Sequence, residues 1–163
     1  MHFDSAGWFV AILVLASCTA PAPSAAPPAF DPADPSVVAA LDSMVALARE
    51  GADNVNADAA LAPLTPEDGL TFLTGDVLLT GKDEVLRAFR ETYAQIQRQR
   101  HAPITRQVRL LAPDVALFVG LGRGTFQDSS GTISDPVGLG TTAVFVRRDG
   151  VWRLVHFHQS VAP

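Results

Sequence analysis

The sequence predicts an α+β fold in a single small domain. Three observations carry this: two runs with apolar residues at helical spacing occupy the first half, four strand-like runs fill the second, and an Asp-Gly turn joins the last two strands. Helices first and a long antiparallel meander after them place the helices on one face of a curved sheet. At 163 residues the chain has room for one core of ordinary size, and its 48% hydrophobic fraction does not fit a disordered composition.

Two segments precede the domain. Trp8 to Ala16 is an unbroken apolar run, too short to span a bilayer as a helix, and it ends in Leu15-Ala16-Ser17-Cys18. That ending resembles the lipobox of bacterial lipoproteins. The resemblance implies that residues 1–17 are a signal peptide, that Cys18 is the lipid attachment site, and that the mature chain is lipid-anchored in the cell envelope, on a periplasmic or extracellular face. Residues 18–34 are rich in Pro and Ala with few large side chains, so they cannot bury enough surface to offset their ordering entropy and read as a tether. As the single cysteine, Cys18 leaves no intrachain disulfide and no cysteine-built metal cluster.

The domain, residues 35–163, opens at Asp34-Pro35, an N-cap followed by Pro at the first helical position. Val37, Val38, Leu41, Met44, Val45 and Leu47 keep the helical period, and Gly51 is the expected stop. Asn54 to Asp68 is ambiguous, with a short helix around Ala59, Ala60 and Leu61 before Pro63 and Pro66. Leu70 to Leu73 and Val77 to Thr80 are short extended pieces around Gly75-Asp76, and a second helix carries Val85, Leu86, Phe89, Tyr93 and Ile96. After His101-Ala102-Pro103, expected to be a loop, strands follow at Ile104 to Leu111, Val115 to Phe126, Val137 to Val146 and Trp152 to Ser160. Asp149-Gly150 supplies the positive φ angles of the last tight turn.

The segment from Arg147-Arg148-Asp149-Gly150 through Trp152 to Val155-His156-Phe157-His158-Gln159-Ser160-Val161-Ala162-Pro163 resembles the closing strand of SnoaL-like proteins, and more closely that of the association (hub) domain of the calcium/calmodulin-dependent kinases. Thr71-Phe72, Gly81 and the helix with Phe89 match the same family's earlier strand-to-helix segment. The resemblance implies an NTF2-like cone in which N-terminal helices pack on a curved, mostly antiparallel sheet around a pocket, commonly dimeric through the sheet. The hub's carboxylate pocket uses arginines where this chain has Ala143 and Gln159, so an equivalent anion site is not implied.

Charge narrows the partners. Twelve Lys and Arg against 17 Asp and Glu give a net charge of -5, with Arg87, Arg98, Arg106 and Arg147 scattered along the chain, which argues against nucleic acid. Alternation along the last strand puts Trp152, Leu154, His156 and His158 on one face and Arg153, Val155, Phe157 and Gln159 on the other. Two histidines at that spacing lack a third ligand, so they read as hydrogen-bonded sheet residues, and neither a metal nor a cofactor is expected. Gly120-Leu121-Gly122-Arg123-Gly124 lacks the context of a phosphate loop; its glycines fall on one strand face, with Arg123 on the other, and make room for a ligand if that face is concave.

Phe72, Phe89, Tyr93, Phe118, Phe157 and Gln159 are the expected pocket lining. The candidates for acid/base work are Asp76 and His158, beside His156; Asp128 and Asp135 read as turn residues. With no triad, metal set or cofactor fingerprint visible, the leading expectation is a noncatalytic domain that pairs with a second copy of itself and binds a small apolar or amphipathic molecule or a protein partner. The alternatives are a SnoaL-like acid/base enzyme (isomerase, cyclase or hydratase) and a homo-oligomeric assembly module.

Overall fold

The computed structural model describes residues 33–162; the expected signal, Cys18 and nearly all of the tether lie outside them. Asp34 begins the first helix by accepting the Ser36 N–H at 2.7 Å, with Pro35 fitting the first turn. Helix α1 (Pro35–Asp53) does not stop at Gly51 but runs on to Asp53. Gly51 is buried where the next segment crosses: a Cβ there would lie 2.3 Å from the Ala59 carbonyl carbon. This glycine serves close approach rather than termination. The ambiguous stretch becomes helix α2 (Ala57–Leu61), whose cap Asn56 accepts the Ala59 N–H at 2.9 Å, and a 3₁₀ turn at Ala62–Leu64.

Strands β1 (Thr71–Thr74) and β2 (Val77–Thr80) form a hairpin that leads into helix α3 (Lys82–Tyr93). Four long strands follow, β3 (Ile96–Ala112), β4 (Val115–Asp128), β5 (Val137–Arg148) and β6 (Val151–Ala162). Asp149 and Gly150 take φ of 52° and 78° in the last turn, as the sequence requires. The sheet order is β2-β1-β6-β5-β4-β3, antiparallel except where β1 runs beside β6.

Three further expectations are corrected. Ile96, read as the last apolar position of the second helix, opens β3, because α3 ends at Tyr93 and Ile96 pairs with Asp128. The segment before Pro103 is the first half of β3 rather than a loop, so His101 sits in a strand paired with Gly124. Pro103 is tolerated because β3 is an edge strand and the ladder slips beside it, leaving Ile104 as an extra residue. In β6, Val144 pairs with His156 but Phe145 pairs with Leu154, so Val155 is a bulge and alternation restarts after it. Trp152, Leu154 and Phe157 therefore share the helix-covered face with Gln159, while His156 and His158 lie on the opposite face.

The core forms where α1, the 3₁₀ turn and α3 close on that inner face. Leu41, Leu64, Leu70 and Val85 pack with Phe118, Phe145, Trp152 and Leu154. Among the described residues no helix is long and apolar enough to cross a membrane.

Candidate active site

The two residues of α1 beyond Gly51 and the polar start of β3 meet at the open end of the cone. One oxygen of Asp53 accepts the His101 backbone N–H at 3.0 Å and lies 2.7 Å from Nδ1 of the same residue. Both side chains are 18% exposed, enough to be reached and enough to be sheltered. An ionised carboxylate only accepts hydrogen bonds, so the ring nitrogen facing it carries a proton and the lone pair of the neutral imidazole falls on Nε2. The backbone bond to the same oxygen fixes the ring's position as well as its tautomer.

Neighbouring residues hold this pair in place. Gln99, two residues before His101 on the same face of β3, is 3% exposed and donates to the Ala52 carbonyl, tying the end of α1 to the strand. Phe126 packs edge-on against the imidazole at a centroid distance of 6.3 Å. Tyr93, at the end of α3, lies near Gln99; burial pushes its phenol above its ordinary value, the neighbouring Gln99 amide opposes that, and the charge of Asp53 adds to it.

From Tyr93 an aromatic series runs inward. Tyr93 stacks on Phe89 at 5.9 Å, Phe89 meets Phe72 edge-on at 5.2 Å, and Phe72 stacks on Phe157 at 5.3 Å. Of the residues expected to line a pocket, these four form one continuous aromatic wall, in which Phe72 belongs to the buried core and Phe89 and Phe157 pack against it. Phe118 is buried deeper in the core, and Gln159 is half-buried across from Thr141 and Thr74 on the same inner face. Gly120, Gly122 and Gly124 do lie on the inner face, opposite Arg106, Pro103 and His101. Their bareness lets strands and side chains close in: a Cβ at Gly122 would be 3.0 Å from the Ala102 carbonyl oxygen, and one at Gly124 2.9 Å from Leu139.

Asp76 is exposed in the turn between β1 and β2, and His158 lies on the outer face, so neither joins the pair. His156 is also on the outer face, with Nδ1 2.7 Å from the Thr71 hydroxyl. Asp128 is held in its own turn by Ser130 and Thr132, whose hydrogen bonds lower its carboxyl below the ordinary range. Two grooves border the pair. One of about 570 Å³ runs along α1 past Glu50, Asp53 and Asn54, and one of about 300 Å³ lies beside His101, Arg100 and Arg123.

A bent sheet with helices closing its inner face and a carboxylate-oriented histidine at the open end define an NTF2-like α+β cone. The chain belongs to the SnoaL-like domain family, whose sequence pattern matches residues 37–163. A Xanthomonas campestris protein given as a candidate calcium/calmodulin-dependent protein kinase II association domain is 25% identical with a TM-score of 0.62, over 82% of this chain and 90% of its own. The hexachlorocyclohexane dehydrochlorinase LinA-type3 of Novosphingobium barchaimii has a TM-score of 0.68 at 16% identity, over 77% and 86% of the two chains. A candidate dehydratase of Streptomyces avermitilis has a TM-score of 0.67 at 17% identity, over 78% and 97%. No curated protein matches the chain in sequence.

Proposed function

We propose that the cone takes up a small apolar or amphipathic molecule and that His101, oriented by Asp53, removes a proton from it. The observation that carries this is the single Asp53 oxygen shared by the ring and backbone N–H groups of His101. A base whose partner fixes its tautomer has the arrangement that general-base catalysis needs. In the step proposed, a C–H bond breaks, its electron pair forms a double bond and expels a leaving group or shifts an existing double bond, and the proton rests on Nε2. Asp53 stabilises the resulting imidazolium, which returns the proton to water or product. The aromatic wall from Tyr93 to Phe157 supplies the apolar surface for binding. Two fold neighbours support the class of reaction, since loss of HCl by a dehydrochlorinase and of water by a dehydratase are both eliminations. This departs from the noncatalytic domain expected from sequence, which rested on the lack of a visible triad, metal set or cofactor fingerprint.

The test uses 5-nitrobenzisoxazole, whose ring opens with a change in absorbance when a base removes one C–H proton. The expected result is saturable turnover that falls about a hundredfold in His101→Gln. Turnover no faster than free imidazole, or unchanged in that variant, would overturn the reading.

The same proposal places the domain on a lipid anchor at Cys18 in the cell envelope; metabolic labelling with a fatty acid should mark the chain and not its Cys18→Ser variant. It also pairs two copies through the outer sheet face around Val119 and Leu121, 37% and 55% exposed, with the β3 edge of the sheet left outside the contact. Sedimentation should show a dimer that Leu121→Glu dissociates.

A further inference from the structure

Arginines that look scattered along the sequence gather on the outer face of the β3–β4 pair. Arg98 faces Gln127, Arg100 faces Thr125, and Arg123 faces Ala102 in the ladder, so all three arginines share that face. Arg100 and Arg123 are diagonal neighbours, roughly 7–8 Å apart at the backbone, within converging reach of two guanidinium groups. Both line the groove of about 300 Å³, with Thr125 between them and Pro136 at its edge. This is the reverse side of the strand segment that presents His101.

Among the described residues Arg98, Arg100 and Arg123 make no ion pair, as is also true of Arg49 and Arg109; what sets them apart is that they gather at one end of one sheet face, where Arg100 also borders the first groove with Glu50 and Asp53. Arg90, Arg106, Arg147, Arg148 and Arg153 each meet a carboxylate within 4.0 Å, in a chain with more acidic than basic residues. The acid nearest along β4, Asp128, accepts instead from Ser130 and Thr132. Like charges side by side on a strand pair repel, and a bound anion would relieve the repulsion. Guanidinium forks match phosphate oxygens, and two or three adjacent positive charges match a dianion better than a carboxylate.

We propose that this groove binds a phosphate monoester, with Arg100 and Arg123 as the clamp and the Thr125 hydroxyl as an added donor. The monoester can come from a soluble molecule or from a lipid headgroup. Calorimetric titration of the full chain with inorganic phosphate at low ionic strength should show saturable binding that matched chloride does not reproduce. Arg100→Gln and Arg123→Gln should each weaken it about tenfold or more, and replacement by Lys should restore part of the loss. Asp76→Asn, in the turn between β1 and β2 and outside the groove lining, should leave it unchanged. Cosedimentation with vesicles of phosphatidic acid in phosphatidylcholine, against phosphatidylcholine alone, assigns the source: a preference lost in the glutamine variants marks a headgroup, and phosphate binding without that preference marks a soluble ligand. Phosphate binding no better than chloride, or single glutamine variants that remain folded and bind as the parent does, would overturn the proposal.

Discussion

His101 and His156 make bonds of the same length through the same ring nitrogen, 2.7 Å from Nδ1 in each case, yet their partners give them different chemistry. Asp53 can only accept from His101, which leaves Nε2 as a base. Thr71 can donate or accept, so His156 is held in the sheet without a fixed tautomer. The first histidine is on the inner face at the open end of the cone, and the second is on the outer face. Placement and partner, rather than the presence of a histidine, separate a reactive group from a structural one.

The comparison breaks most directly at the two partners. Asp53→Asn removes the acceptor that defines the base and should lower turnover of the benzisoxazole probe about a hundredfold. Thr71→Val removes the corresponding partner of His156 and should change turnover by no more than about twofold. Equal losses in the two variants would mean that the probe reports general folding. A loss confined to Thr71→Val would move the proposed base to the wrong face.

A second way to sharpen it acts on α1 without touching either histidine. Alanine at Gly51 would gain about 1 kcal/mol of helix propensity, but its Cβ would lie 2.3 Å from backbone atoms of Ala59. Overpacking against backbone should win, with a net loss of about 2 kcal/mol in denaturant unfolding. The displacement should also pull Asp53 from His101, so probe turnover should fall even where the variant is fully folded. Gln99→Leu should have a smaller effect on stability, about 1 kcal/mol, because it removes the side-chain bond that ties β3 to the end of α1 while the Ala52 carbonyl still accepts the Val55 N–H at 2.8 Å.

Much of the fold is legible in the sequence because its signals are local: the Asp34 cap, the period of α1 and α3, and the Asp149-Gly150 turn. The site escapes that kind of reasoning at each of its parts. Gly51 looks like a helix stop, which hides the turn that carries Asp53; its role depends on α2 crossing above it. Gln97 to His101 has no apolar alternation, since the inner face of β3 is polar at the open end and the outer face is basic, so the strand is invisible until β4 pairs with it. The bulge at Val155 reverses the faces of β6 and draws attention to the wrong histidines. Where local rules fail together, at Asp53 and His101, the chain departs from simple patterning to build a polar pair.

The finest distinction between the two histidine environments comes from Tyr93, the single tyrosine of the chain. Burial raises its phenol above the ordinary 10.0, aided by the charge of Asp53 and opposed by Gln99. A group whose folded pKa is raised contributes stability that is fully present below its unfolded pKa and is lost as pH climbs through the folded value. Denaturant stability should therefore hold through neutral pH and decline above about pH 10, with the decline reduced in Tyr93→Phe. With one tyrosine present, phenolate absorbance reads this titration directly. Asp53→Asn removes the nearby negative charge and should shift the titration toward lower pH, whereas Thr71→Val should leave it in place. A tyrosine that titrates at its ordinary value and is insensitive to Asp53 would mean that the Tyr93–Gln99–Asp53 cluster is open to water, and the base beside it would lose its sheltered setting.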